Sequence, residues 1–306
     1  MIIDLPDTTT TAVNKTLVRL RDEGGAVALG RVLTLVIDAE AQDVETAIEA
    51  ANDASREHPC RVIVLARDAS RTTPRLDAEI RVGGDAGASE VIVLRASGEM
   101  LAHSDTLVMP LLLPDAPIVA WWPSELPEHP SEHPLGAMAQ RRITDSLACS
   151  DPLSTLRRLR DGHRAGDTDL AWTRLTAWRG LLAAALDQPP FEPVTRAEVH
   201  GHETHPSVPL LAAWLAHALR CPVEVLREKD VQGITKVVLE RESGPVVITR
   251  PDGRVATIQQ PGQPERTTAM PMRSLRECLS EELRRLDPDE VYGEVLVDGL
   301  ERVGAA

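Results

Sequence analysis

Two uninterrupted runs of aliphatic, largely β-branched residues constrain this chain more than any other feature. They are "RVLTLVID" (residues 31–38) and "CRVIVLARD" (residues 60–68). A strand with one face in water alternates apolar and polar residues. These runs do not alternate, so both faces of each strand must be covered. Between them, Asp43 to Glu57 carries a helical pattern that Pro59 stops. Strand, helix and strand joined by short connections give a parallel pair with a helix packed across it. "APIVAWWP" (residues 116–123) supplies a further strand.

The flanking segments extend this layer. Thr8 to Arg21 reads as a helix ended by Gly24-Gly25. "LDAEIRVGGDAGASEVIVLRAS" (residues 76–97) holds Gly83, Gly84 and Gly87 between two strands, which fits a hairpin. A phosphate-cradling loop would instead run from a strand into a helix. Met100 to Leu113 reads as a helix broken near Pro110, and "SELPEHPSEHP" as an irregular acidic loop. Short helices are expected at 135–142 and 152–161, around "RRITDS".

"DTDLAWTRLTAWRGLLAAALDQPP" (residues 167–190) reads as one long helix capped by Asp167 or Thr168. Ala171, Leu175, Trp178, Leu182 and Ala185 share one stripe, widened by Trp172, Leu181 and Leu186. Its back holds Thr173, Thr176, Ala177, Gly180, Ala183 and Ala184, none charged, which predicts packing on both sides. A second apolar helix follows from Ser207, then a meander of four strands with a turn at "RPDGR", then helices near 272–286 and 288–301. The expected fold is an α/β N-terminal domain with a mostly parallel sheet (1–190), followed by an α+β C-terminal domain with an antiparallel sheet (191–306).

Composition excludes several function classes. The net charge of −14 repels phosphate backbones and argues against nucleic acid or an anionic membrane as partner. No apolar run approaches a bilayer span, and "MIIDLPDTTTT" lacks the pattern of a secretory signal, so a cytoplasmic protein is expected. Cys60, Cys149, Cys221 and Cys278 form no CxxC, which argues against a zinc framework or disulfide scaffold. Cys149 precedes a helix start, but no particular His is tied to it, so a small buried Cys is the simpler reading. No Gly-rich cofactor loop and no GxSxG elbow occurs, and no carboxylate pair stands out. No cofactor and no catalytic residue is therefore expected. His200, His202 and His205 cluster in "VHGHETH", where His200 and His202 would share a face if the segment were extended. No acid or Cys completes a set, so the expectation is a polar loop and no metal. His129 and His133 lie in the proline-rich loop.

Six residues remain as candidates for a partner or ligand interface. Arg174 and Arg179 fall inside the apolar arc of the long helix beside Trp172 and Trp178. A guanidinium there needs a carboxylate, a phosphate or an aromatic face. Trp121 and Trp122 are two of only five tryptophans, and as strand neighbours they point to opposite faces. One is expected under a helix, the other, Trp122, partly exposed beside the 123–134 loop.

"DTDLAWTRLTAWRGLLAAALD" resembles the signature of the OpcA family, the glucose-6-phosphate dehydrogenase assembly proteins. "RVLTLVI", "IVAWWP", "RRITDS" and "LLAAWLA" resemble further blocks of that family in the same order, so the resemblance covers nearly the whole chain. Ala177 departs from it, standing where the family pattern has Pro. The resemblance implies a non-catalytic partner that binds glucose-6-phosphate dehydrogenase, promotes its active assembly as an activator and serves the oxidative pentose phosphate pathway. The rival expectation is a sugar-phosphate-binding enzyme or sensor using the crevice at the carboxyl ends of the parallel strands, with Arg174 or Arg179 holding the phosphate.

Overall fold

The computed structural model describes residues 1–23, 32–68, 72–83 and 90–303. In chain order the first elements are β1 (Ile2–Leu5), α1 (Thr10–Glu23), β2 (Leu33–Glu40), α2 (Val44–Glu57) and β3 (Cys60–Asp68). Then come β4 (Arg75–Arg81), β5 (Glu90–Ser97), α3 (Ser104–Val108), β6 (Ile118–Trp122), α4 (Pro134–Met138) and β7 (Arg141–Thr144). The middle of the chain holds α5 (Pro152–Asp161), β8 (Asp167–Asp169), α6 (Leu170–Thr173) and α7 (Thr176–Leu186). The rest consists of β9 (Arg196–His202), α8 (Ser207–Leu219), β10 (Val223–Glu228), β11 (Ile234–Glu240), β12 (Val246–Thr249), β13 (Val255–Gln259) and β14 (Arg266–Ala269). It closes with α9 (Leu275–Arg284), α10 (Glu290–Glu294) and α11 (Leu300–Arg302), the last two joined by a π turn at Val295–Gly299.

The chain forms two compact units that interleave in sequence. The first comprises Met1–Ala148, Gly166–Thr168 and Leu275–Pro288; the second comprises Cys149–Ala165, Asp169–Ser274 and Asp289–Ala306. The contiguous cut expected near residue 190 differs from this partition.

In the first unit eight strands are ordered β1-β4-β5-β3-β2-β6-β7-β8. The central strands β5, β3, β2, β6 and β7 run parallel, and β4 and β1 add an antiparallel edge. The non-alternating runs behave as their composition requires: Leu33 to Ala39 and Cys60 to Ala66 are buried without interruption. Helix α2 covers one face through Val44, Ala47, Ile48, Ala50, Ala51 and Ala54, whose small side chains allow close approach. Arg61 and Glu90 are register partners on β3 and β5 and form a buried ion pair at 2.8 Å. The hairpin expected for residues 76–97 is confirmed by antiparallel pairing of β4 with β5; its turn, like the Gly24-Gly25 stop, lies outside the described residues.

In the second unit six strands are ordered β10-β9-β11-β12-β13-β14. Only β9 and β10 pair in parallel, and the remaining neighbours are antiparallel. Helix α8 is buried along most of its length, from Ser207 to Ala213 and again at Leu215 and Ala216.

Three local expectations need correction. The long helix over 167–190 is a strand followed by two shorter helices. Asp169, in extended conformation, caps α6 by accepting the Ala171 N–H at 2.8 Å. The Leu175 N–H then bonds to the Trp172 carbonyl at 2.9 Å, a tightened turn that separates α6 from α7. That turn serves packing: Trp172, Leu175 and Trp178 recur every third residue and all are buried. The small-residue back of α7 is not packed, because Gly180, Ala183 and Ala184 are exposed and nothing lies within 4 Å of a Cβ built on Gly180. The polar loop expected at "VHGHETH" is in part a strand, since β9 runs through His202.

Candidate functional site

Parallel strands bring their carboxyl ends to one edge of a sheet, and there the first unit opens a cleft of ≈ 630 Å³. Asp38 and Glu40 come from the end of β2, and Arg67 and Asp68 from the end of β3. Gln42, Leu101, Ser104 and His133 complete the wall. The strand register sets Glu40 beside Arg67.

Asp38 is the centre of this site. It is 4% exposed, its Oδ2 accepts the Trp122 indole N–H at 3.1 Å, and its Oδ1 lies 3.0 Å from Arg67 Nε. Burial raises its pKa against the opposing pull of Arg67, His133 and the Trp122 hydrogen bond. Arg67 also reaches the Glu125 carbonyl at 3.4 Å, tying the proline-rich loop to the cleft. His133 caps α4: its Nδ1 accepts the Leu135 N–H at 3.4 Å, which places the proton of the neutral ring on Nε2. Burial pushes the His133 pKa down, and its ring stands edge-on to Trp122 with centroids 5.6 Å apart. Among the described lining residues, Asp38, Glu40 and Asp68 carry carboxyl groups and Arg67 a guanidinium.

Neither ring of the Trp pair is exposed: Trp121 and Trp122 are both 0% accessible. The expected exposure of Trp122 fails because Asp38 gives its N–H a buried acceptor, so the ring ends inside the core. Trp121, on the other face, makes no hydrogen bond through its Nε1.

The other four candidate residues lie together in the second unit. The Arg179 guanidinium covers the Trp172 ring at 3.7 Å, and Trp172 donates its N–H to Asp289 at 2.9 Å. Arg250 lies over Trp178 at 5.1 Å. Both rings are buried, while Arg174 and Arg179 keep partial exposure. Arg174 contributes to the field on His205, whose pKa is lowered to about 4, first by burial and then by Arg174, His202 and Arg250. His200 meets Glu198 and Glu228, each at 3.4 Å. Among the described residues, no group of three or more His, Cys, Asp or Glu is placed to hold a metal ion.

Sequence reasoning named the crevice but gave it Arg174 or Arg179 as the phosphate holder, and both belong to the second unit while the cleft is built by the first. The available signal was Asp38 itself, an acid closing an otherwise apolar buried strand.

Two family models match this chain. The glucose-6-phosphate dehydrogenase subunit N-terminal domain covers residues 51–161, and the C-terminal domain of the same subunit covers residues 165–296. The chain belongs to the OpcA family. Among OpcA relatives, the OxPP cycle protein OpcA of Synechococcus elongatus is 31% identical over 165 residues, 48% of this chain and 35% of that protein. The OpcA protein of Nostoc punctiforme is 27% identical over 203 residues, 61% of this chain and 44% of that protein. The chain thus spans less than half the length of the curated OpcA proteins it matches. Among solved structures, a probable oxidoreductase, yhhX, superposes with a TM-score of 0.46 at 10% identity, covering 89% of this chain and 96% of that one. The oxidoreductase yvaA from Bacillus subtilis gives a TM-score of 0.41 at 11% identity, over 89% of this chain and 96% of that one. These two likenesses are too distant to carry chemistry over to an OpcA chain.

Proposed function

We propose that this chain is a non-catalytic partner of glucose-6-phosphate dehydrogenase that supports its assembly, raises its activity and so serves the oxidative pentose phosphate pathway in the cytoplasm. The observation that carries this reading is the match of both halves of the chain to domains described as a subunit of that enzyme. The names of the relatives agree with it. The sequence adds support, since it offers no phosphate-cradling glycine loop and no nucleophile elbow.

Of the six residues proposed for the contact surface, the four tryptophans are buried in this chain, so they offer no direct contact. Arg174 and Arg179 are the members with accessible atoms, and they are the proposed direct contacts. No helix among the described residues is long and apolar enough to cross a membrane.

The test is a titration of the cognate dehydrogenase with the purified chain, read by NADP reduction and by light scattering behind a sizing column. The proposal expects a saturable rise in rate and a complex of higher mass, with no turnover by the chain alone. An unchanged rate and mass throughout the titration would refute it, and turnover by the chain alone would refute the non-catalytic part.

A further inference from the structure

Burial of the sheet in the second unit is one-sided. Val199, Val237, Leu239, Val246, Ile248 and Ala256 point to one face, and all are fully buried. Strand pairing fixes the composition of the opposite face. Leu226, His200, Lys236, Thr249, Thr257 and Thr267 are successive register partners, so they form one row across all six strands. Each of the six keeps exposed surface. The two halves of this open face differ in chemistry. On β9 and β10 it carries charges that meet one another: Arg196 pairs with Glu224, and His200 lies 3.4 Å from Glu198 and from Glu228. On β12, β13 and β14 it carries none. Val247, Thr249, Val255, Thr257, Thr267 and Ala269 point outward there, and Gln259 at the margin donates to Glu265 at 2.7 Å.

In a chain with 26% charged residues, a sheet face left to water ordinarily places some of them outward. The uncharged half of this face therefore calls for an occupant, and symmetry selects one. The net charge of −14 makes two copies repel wherever acids face acids. In a twofold pair, residues near the axis meet their own copies, so a charge there would meet an identical charge. An uncharged field is what self-pairing requires at its centre. A partner of different sequence can set an opposite charge against any residue and needs no such field. At roughly 3.3 Å per residue and 4.8 Å between strands, the six strands present about 500 Å² per copy. A face-to-face pair then covers about 1,000 Å² in all, the size of a weak but specific contact, with the mutually paired charges of β9 and β10 at its rim.

We infer that two copies of this chain pair face to face through the open side of this sheet, with the twofold axis near Thr257. The inference is independent of the dehydrogenase partnership and is read on the chain alone.

The experiment is sedimentation velocity on the full chain. A contact of this size should dissociate in the micromolar range, so the mass should rise toward that of a dimer across about 1–100 μM. Thr257→Lys and Thr257→Glu should each keep the wild-type circular dichroism and weaken association more than about tenfold, because each sets like charges against one another at the axis. An equimolar mixture of the two variants should dimerise again, since Lys then meets Glu. Should either variant fail to fold, Thr267→Lys and Thr267→Glu, on the exposed neighbouring strand, repeat the test. The inference is overturned if the wild type stays monomeric throughout, if a folded Thr257→Lys associates like the wild type, or if the mixture stays monomeric. A monomeric wild type whose Thr257→Lys variant no longer raises dehydrogenase activity would give this face to the dehydrogenase instead.

Discussion

Lowering the pH should destabilise the second unit through one side chain, His205. Its Nδ1 accepts the Ser207 N–H at 3.2 Å, so the neutral ring carries its proton on Nε2. A second proton would displace that hydrogen bond and add a charge among Arg174, His202 and Arg250. Burial first, and then the charges of Arg174, His202 and Arg250, lower the folded pKa from 6.5 to about 4. In the unfolded chain the ring takes up its proton at the ordinary value. Between these two pH values the unfolded state binds more protons than the folded one, so stability rises with pH across the window. The contribution is fully present above pH 6.5 and is lost as the pH falls to about 4. A displacement of this size corresponds to roughly 3 kcal/mol, a large fraction of the stability of an ordinary domain.

Urea unfolding followed by circular dichroism, on wild type and His205→Asn, isolates this term. The asparagine oxygen can still accept the Ser207 N–H, and carboxylates titrate alike in both proteins, so they cancel in the difference. The wild type should lose up to roughly 3 kcal/mol more than the variant between neutral pH and the lower end of the window. Parallel curves would refute the reasoning, because they would show that His205 titrates identically folded and unfolded.

Two further perturbations test the packing around the cleft. Trp122→Phe should destabilise by about 2 kcal/mol more than Trp121→Phe, since only Trp122 gives up a hydrogen bond to a buried carboxylate; equal losses in urea would contradict the assigned Asp38 contact. Gly136→Ala would drive a Cβ into the Pro130 carbonyl oxygen and against Arg142, costing roughly 1–3 kcal/mol, and an unchanged melting temperature would show that the proline-rich loop does not lie against α4.

Much of the fold was legible because burial writes itself into composition. The runs ending in Asp38 and Asp68 announced strands covered on both faces, and the pairing of β2 with β3 follows from them. The break at Leu175 was not legible. A stripe of Trp172, Leu175 and Trp178 suits a continuous helix as well as a tightened turn, and tertiary packing chose the turn. Nor could strand alternation settle the exposure of Trp122. It fixes which way a side chain points, while the acceptor that holds the ring inside, Asp38, lies 84 positions away in sequence. The cleft depended on the same kind of distance: Asp38, Arg67, Ser104 and His133 come from four separate segments that only the sheet and its connections bring together.

The interleaving of the units carries a consequence for how the protein is made. Arg141, on β7, finds its counter-ion in Glu282 at 2.5 Å, with both side chains less than a tenth exposed, and donates to the Asp287 carbonyl at 2.7 Å. Both acceptors belong to the segment Leu275–Pro288, which the first unit borrows from far along the chain. A ribosome emits residues in order, so the sheet containing β7 exists on the nascent chain well before α9 does. Throughout that interval Arg141 lacks the two acceptors that its folded setting provides, and burying an unmatched guanidinium is costly. The early strands can pair, but the edge near Arg141 must stay hydrated until α9 emerges. Folding of the first unit is thereby timed by translation of a segment that follows most of the second.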